Sequence, residues 1–570
     1  MWLDLFQNYA PVTTMIKKIY KLLSEHQQKR SVAVMFVVLL RALLDFAGVA
    51  ALIPVLLAIL EPDGSREKML TLCCIILLFV MLKNGLVILL ARMQSRFLLD
   101  IYRDFSRRMF VNYYRRGLLF LKGTSSLQLG HEVNYVCYTF SLCVLAPVFR
   151  IVSDSVLVLL MVSALVIWEP IAGLLLCAAF LPLAGGYVGL VRKRLRRYGT
   201  EELEARRKQL RTVVEAFRGF AELEVAHAFH TTISFFDQGI ESITRNRLRM
   251  EICQLFPFFL SEIAIVCGLA LLIGAGRGDL GLMSGVFAVA AFRLLPAIRS
   301  ILNSWGTLQN ASHTLEIVAE GIADIPQKEM ETESPFTFRQ GIELCGVSFA
   351  FPDGHILFRD LNLNIKRGEC VGIRGTSGSG KSTLFNLMLG FLEPISGEIR
   401  IDGKRLTVNN REEWYKVAGY VPQEIFITEG TLATNIALGE VQVDYKKVMN
   451  VLEQVQLKEW AEHLPQGLDT PLGEFGSRLS GGQKQRIGIA RALYKQAEIL
   501  FFDEATSALD HRTEQEINHA LQELSHQHHE LTIVIIAHRE SSLAFCDRIF
   551  DLDSGNIYTK EKQRKWNKII

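Results

Sequence analysis

The sequence lacks any C-x-x-C pair. Its ten cysteines (Cys73, Cys74, Cys137, Cys143, Cys177, Cys253, Cys267, Cys345, Cys370 and Cys546) are scattered, several in apolar runs where a free thiol acts as a small hydrophobe. We therefore expect no zinc site, no structural disulfide and a reducing compartment. Net charge is scarce too. With 62 Lys and Arg against 59 Asp and Glu the chain carries only +3, so charge gives no reason to expect a nucleic-acid partner. Residues 1–30 do not look like a secretory signal either, since they hold no short apolar core before a small-residue cleavage site. Instead Ile16, Ile19, Tyr20, Leu22 and Leu23 interleave with Lys17, Lys18 and Lys21, the pattern of a helix lying at a membrane surface.

What the chain has in quantity is apolar surface. Half of its 570 residues are hydrophobic, and mean hydropathy is +0.23. The length exceeds one compact domain. Six apolar segments precede residue 306: residues 31–60, 69–91, 141–168, 171–191, 256–274 and 280–302. Each is near or above the ~20 residues that span a hydrocarbon core. Loops after the first, third and fifth are short. The loop after the second carries Arg92, Arg96, Arg103, Arg107, Arg108, Arg115 and Arg116; the one after the fourth opens with Arg192-Lys193-Arg194 and Arg196-Arg197. The positive-inside rule places both basic loops in the cytoplasm, with the termini beside them. Helix-period patterns such as Leu203/Arg206/Leu210/Val213/Val214/Phe217 predict that these loops are the spanning helices themselves, extended far into the cytoplasm. Turns near residues 122–129 and 219–230 would be their tips.

Charges inside the spans fall into two kinds. Arg41 and Asp45, and likewise Arg150 and Asp154, are four apart, so each pair is expected to neutralise itself along one helix face. Arg293 stands about 20 Å into the sixth segment by helical rise, with no acid within a turn. An unpaired intramembrane arginine is a substrate-site candidate, the alternative being a structural pair with Glu262 of the fifth segment; Arg299, nearer the cytoplasm, is taken with it, the alternative being that it snorkels to the interface. Pro296 lies between them.

After a polar stretch at 323–337 the pattern becomes α/β. Apolar Cys370-Val371-Gly372-Ile373 leads into Gly375-Thr376-Ser377-Gly378-Ser379-Gly380-Lys381-Ser382-Thr383 and then a helix-like run. Strand, glycine loop and helix together make a phosphate cradle: the glycines let backbone N–H groups converge on one anion, and the helix N-terminus adds partial positive charge. Lys381 would reach the β- and γ-phosphates and Ser382 would hold Mg²⁺. Phe351, after the strand at 344–349, is placed to stack on a flat ring. Gln423 ends an apolar strand. Leu479-Ser480-Gly481-Gly482-Gln483 opens a helix and forms a second anion site. The buried strand Ile499-Leu500-Phe501-Phe502 ends in Asp503, suited to Mg²⁺, and Glu504, able to polarise a water. His538 ends another strand, within reach of a γ-phosphate.

In this order and spacing the motifs resemble the nucleotide-binding domain of ATP-binding-cassette proteins over residues 338–558. The resemblance adds Asp510, in Ser507-Ala508-Leu509-Asp510, to the nucleotide contacts, and Gln423 to the Mg²⁺ ligands. Phe351 stands where that family usually has tyrosine. In relatives two such domains pair head-to-tail, so one domain and six spans imply a homodimer with two equal sites that bind ATP and Mg²⁺ and hydrolyse through Glu504, Gln423 and His538. The expected layout is a six-span helical membrane domain at 1–322 with long cytoplasmic extensions, a linker at 323–337, an α/β P-loop ATP-binding-cassette domain at 338–558 and a basic tail at 559–570. Asp45-Phe46-Ala47-Gly48, Leu52-Ile53-Pro54 and Phe292-Arg293-Leu294-Leu295-Pro296 look like bacterial lipid-linked oligosaccharide flippases. That likeness implies an inner-membrane homodimer whose cargo is a polyprenyl-pyrophosphate-linked glycan, its head drawn by Arg293 and Arg299. The competing expectation is an exporter of lipids, drugs or peptides.

Overall fold

Side chains spaced four apart organise the first half of the chain. In the computed structural model, which describes residues 10–51, 66–168, 170–274, 280–323, 336–504, 511–527, 530–537, 539–553 and 556–561, the chain divides into two compact units, Met1–Ile325 and Pro326–Ile570. The first is helical. α1 (Ala10–Leu22) turns Ile19 inward and leaves Lys17, Lys18, Lys21 and Tyr20 exposed, as its sequence pattern requires. α2 (Glu25–Ala50) follows, then α3 (Arg66–Arg115), one unbroken helix of 50 residues.

Along α3 the outer section exposes Leu77, Leu78, Met81 and Leu82, whereas Phe97, Ile101, Phe105, Met109 and Tyr113 are all buried. That four-residue period is a helix seam. It packs against Phe140, which stacks on Phe105 at 5.8 Å, and against Val144 and Val318. The same helix thus changes from a lipid-type surface to a protein-type seam, as expected of a span extended into the cytoplasm.

Short helices α4 (Gly117–Gly123) and α5 (Ser126–His131) form the first tip. Widened π-type turns at Glu132–Val136 and Phe140–Leu145 then lead into α6 (Ala146–Trp168). α7 (Pro170–Arg218), α8 (Phe220–Val225) and α9 (Phe229–Gly274) repeat the plan, with α8 at the second tip. α10 (Leu280–Asn310) and α11 (His313–Ile322) complete the unit. By length and composition four stretches among the described residues are able to cross a membrane: Glu25–Gly48, Leu70–Arg115, Ser126–Ile167 and Phe229–Gly268. The fourth and sixth apolar segments begin α7 and α10. Pro182, Pro257 and Pro296 lie inside helices that continue past them.

The second unit carries two sheets. An antiparallel sheet in the order β2-β1-β4-β5 holds β1 (Gly341–Ala350), β2 (Ile356–Lys366), β4 (Ser396–Ile401) and β5 (Lys404–Arg405). The other, in the order β10-β9-β3-β8-β7-β6, has a parallel centre built from β3 (Cys370–Arg374), β6 (Ala418–Val421), β7 (Ile499–Asp503), β8 (Thr532–Ile536) and β9 (Arg548–Asp553); β10 (Asn556–Glu561) closes it antiparallel. β7 and β8 are buried at every residue, which is why both read as continuous apolar runs. Trp414, fully buried on α13 (Arg411–Val417), donates from its indole to the Met388 carbonyl at 3.1 Å and packs on Phe338 and Phe501. At ~25 cal/mol per Å² over roughly 200 Å², that burial is worth about 5 kcal/mol at most. It braces the C-terminal end of α12 (Lys381–Met388), the helix that starts at the phosphate loop.

Candidate functional site

β3 stops at Arg374, and the chain curls through residues 375–380 before α12 begins. A Cβ at position 375 would lie 2.2 Å from the Leu552 carbonyl oxygen, so only glycine lets the loop rest on β9. Gly378 and Gly380 have φ of +83° and +99°. Ser379 Oγ is buried in this curl without a hydrogen-bond partner. A buried hydroxyl left unpaired beside a glycine loop and a helix N-terminus fits a phosphate, which would supply the missing acceptor.

Lys381, 5% exposed, donates to the carbonyl oxygens of Gly375 and Thr376 at 3.0 Å each and stands 4.0 Å from Glu504 Oε1. Burial draws its pKa down, and the Glu504 and Asp503 carboxylates pull it back up. Ser382 Oγ donates to Asp503 Oδ1 at 3.1 Å. Tyr420 OH donates to the other carboxylate oxygen at 3.4 Å; burial, then the Asp503 charge, raises the phenol pKa and keeps that proton in place. Gln423 Nε2 donates to Glu504 Oε2 at 3.3 Å. Glu504 itself follows β7 in a left-handed conformation, φ +49°, with its N–H on the Ile536 carbonyl. The loop Gly375–Ser382, Gln423, Asp503 and Glu504 are therefore brought to one place at the C-terminal ends of parallel strands, where α/β sheets bind ligands. Thr383 follows on the first turn of α12.

No group of three or more His, Cys, Asp or Glu is gathered among the described residues. Mg²⁺ would be held here by Ser382, Asp503 and Gln423 together with nucleotide oxygens, a donor set that suits a hard cation. Its chemistry would be to neutralise phosphate charge. Phe351 follows β1 and stands edge-on to Phe349 at 5.3 Å. Ser480 caps α17 (Gly481–Tyr494): its Oγ accepts the Gln483 N–H at 3.2 Å, and Gln483 Oε1 accepts the Ser480 N–H at 2.9 Å. That capping box fixes the Gly481–Gly482 turn as a second helix N-terminus. Asp510 and His538 lie outside the described residues.

Two residues of this region escape sequence reading. Tyr420 is one, its only sign being a polar-tipped aromatic three residues before Gln423. The other is Glu514 on α18 (His511–Gln527), which is wholly buried and accepts from Ser541 Oγ at 2.7 Å, Ser542 Oγ at 3.0 Å and the Arg539 guanidinium. It ties the segment just after position 538 to α18. Burial pushes its carboxyl pKa up, but the hydrogen bonds from Ser541, Arg539 and Ser542 outweigh it and leave it depressed. A depressed folded-state pKa contributes stability that is complete above the unfolded value of about 4.3 and is lost as pH falls through the folded one. We expect the urea midpoint to drop below that pH in the native protein, and Glu514→Gln to be less stable at pH 7 with a flatter acid limb. Equal acid limbs would refute this role.

In the helical unit the expected charge pairs are not formed. Asp45 pairs with Lys83 of α3 at 3.0 Å instead of Arg41. Gly48 leaves room for this contact: a Cβ there would lie 3.1 Å from Lys83 Cδ, so the lysine would have to shift slightly. Arg150 and Asp154 likewise form no ion pair among the described residues, although the charges of Arg41 and Arg150 both bear on Asp154. Arg41, Arg150, Asp154 and Ser300 instead line a cavity of about 290 Å³, with Val38 and Phe149 as apolar walls. Arg299 lies 4.0 Å over the Phe258 ring and donates from Nε to Ser261 Oγ at 2.7 Å, so its guanidinium is engaged within the helix bundle. The Arg293 side chain lies outside the described residues.

A helical membrane unit followed by a phosphate-loop α/β unit defines an ATP-driven membrane transporter. The family model described as ABC transporter matches residues 358–507. The chain is 30% identical over 492 residues to an ATP-dependent lipid A-core flippase of Burkholderia pseudomallei, covering 84% of this chain and 80% of that one. It is 43% identical over 211 residues to the uncharacterized ABC transporter ATP-binding protein YwjA of Bacillus subtilis, 37% of this chain and 36% of the relative. A solved bacterial Atm1-family ABC exporter with ATP bound shares the fold, with a TM-score of 0.75 at 22% identity, covering 93% of this chain and 95% of that one. The chain belongs to the ABC transporter family. It is a multi-pass membrane ATPase whose hydrolysis is coupled to transport.

Proposed function

We propose that the protein is a homodimeric ATP-driven flippase of a bacterial inner membrane, moving a lipid with an anionic, glycan-bearing head out of the cytoplasmic leaflet. The observation that carries the energy-coupling part is the meeting of Gln423 with Glu504 at 3.3 Å, beside Ser382 and Asp503. Lys381 and the loop N–H groups bind the phosphates; Glu504 accepts a proton from the attacking water as its oxygen bonds to the γ-phosphorus and the bond to the bridging oxygen breaks, releasing ADP; Gln423 senses that carboxylate from the end of β6. Ser480 and the α17 N-terminus act on the nucleotide held by the other subunit, with Gly481, Gly482 and Gln483. Asp510 and His538 complete each site.

For the cargo, the lipid A-core flippases among the relatives support a lipid. The motifs around Asp45 and Arg293 narrow our reading to a polyprenyl-diphosphate-linked oligosaccharide. Reconstitution tests this. Proteoliposomes holding a fluorescent polyprenyl-diphosphate oligosaccharide, with the ATPase unit facing outward, should transfer it to the lumenal leaflet only with Mg²⁺ and ATP. A preparation that hydrolyses ATP but moves neither this lipid nor a lipid A-type glycolipid above the protein-free rate would rule the lipid reading out. Transport of the glycolipid alone would replace the cargo.

A further inference from the structure

The cavity between α2, α3, α6 and α10 holds two arginines whose charge the fold does not cancel. Arg41 and Arg150 line it with Gln94, Ser153, Asp154 and Ser300. Among the described residues neither arginine makes a hydrogen bond or an ion pair. The acid expected to serve Arg41 is already held by Lys83, and Asp154, the acid expected to serve Arg150, lines the cavity with both arginines without closing on either. Two cations thus face one carboxylate, leaving one positive charge in excess. Leaving such charges unmatched inside a membrane span is costly, and what offsets the cost is an anion.

The level of the cavity says which anion. Gln94 lies three residues past the cytoplasmic end of the second apolar segment, and Ser300 two residues before the cytoplasmic end of the sixth. Arg41 and Arg150 stand ten and nine residues inside the first and third segments, about 14–15 Å by helical rise, so the lining runs from the level of cytoplasmic-leaflet heads to two cations deeper in the span. At about 290 Å³ the space is at the small end of ligand cavities (roughly 300–1,000 Å³), enough for a head and not for a whole lipid. Guanidinium forks match phosphate oxygens two at a time, and the Gln94 amide and Ser153 hydroxyl add neutral donors. A carboxylate also fits one fork, but its two oxygens serve two forks less fully than the three of a phosphate.

We propose that this cavity binds the phosphate or diphosphate of a membrane lipid, and that Asp154 is its built-in competitor. With the cavity empty, Asp154 is the counter-ion for Arg41 and Arg150. When the head enters, its oxygens take over both guanidiniums, and Asp154 becomes a like charge that weakens the hold and favours release. No bond is made or broken; the exchange is electrostatic. The proposal rests on the lipid-cargo reading, and it gives that cargo a first point of recognition distinct from Arg293 and Arg299.

Charge reversal of effect is the test. The full-length protein in phosphatidylcholine nanodiscs is titrated, without ATP, with an isoprenyl diphosphate, the matching isoprenol and inorganic diphosphate, binding being read by native mass spectrometry. We expect the isoprenyl diphosphate to bind best. Arg41→Gln and Arg150→Gln should each weaken it about tenfold or more, the loss of a charge-assisted contact. Arg150→Lys should recover part. Asp154→Asn should tighten it by about fivefold, by removing a repulsion. Unchanged binding in both folded arginine variants overturns the site. Weaker binding in Asp154→Asn overturns the competition, and this arm decides the matter if an arginine variant does not fold. Equal binding of inorganic diphosphate overturns the lipid assignment. The cargo reading fails separately: binding as described without transport in proteoliposomes leaves the site standing and removes the cargo.

Discussion

Glu504→Gln should bind Mg²⁺–ATP as well as the native protein and hydrolyse it about 10²–10⁴-fold more slowly, the usual worth of a positioned general base. The substitution keeps side-chain length and the Gln423 contact, now between two amides, but removes the proton acceptor. It is also conservative for the backbone. Position 504 has φ +49°, where any residue with a Cβ is strained; glutamine carries the same strain as glutamate, so a rate loss reports chemistry rather than a refolded strand end. A nucleotide-bound dimer should accumulate, visible as a shift in sedimentation or cross-linking. Turnover within tenfold of native would remove Glu504 from its role.

Mixed dimers should show a gain as large as that loss. Lys381→Ala and Ser480→Arg homodimers are each expected to be nearly inactive, the first because the phosphates lose their buried ammonium, the second because a long cation fills the α17 N-terminus. Dimers enriched for one subunit of each kind contain one site with both defects and one with neither. ATPase should therefore return to about half of native if the sites fire independently. Ser480→Arg also deletes the helix cap, at a cost of about 1 kcal/mol, so the variant's thermal midpoint has to be compared with native before the activities are. Mixed dimers no more active than either parent would end the idea that nucleotide sites are shared across subunits.

The phosphate loop was legible because glycine spacing is itself the constraint: Gly375 touches β9, and Gly378 and Gly380 take positive φ, so the sequence has no alternative residues there. Asp503 and Glu504 were legible because two acids closing a wholly apolar strand have to stand at its carboxyl end, where the buried run stops. The long helices followed from periodicity, although the π-type turns in the third segment left no trace in it. The intramembrane charges were misjudged for a physical reason. An i,i+4 pair is worth only about 0.2–0.5 kcal/mol, and less when the cation precedes the acid, as in Arg41–Asp45 and Arg150–Asp154. Tertiary partners outbid it once Gly48 lets Lys83 lie across α2. Tyr420 and Glu514 were illegible because their partners, 83 and 25 to 28 residues away, are chosen by strand order and not by local spacing.

The cysteines offer an instrument for watching the machine. Cys370 and Cys546 are buried 3.7 Å apart beneath the phosphate loop, and Cys137 is buried among the cytoplasmic helices. Cys73, Cys74 and Cys267 are exposed, but on apolar segments where lipid covers them. Cys345, on β1, is the exposed thiol of the water-soluble unit. Cys143, Cys177 and Cys253 are half-buried, so once these three are replaced a charged maleimide added from the cytoplasmic side would mark one position per subunit. Two such spin labels or dyes in a dimer would turn the approach and parting of the ATPase units into a distance that is read directly.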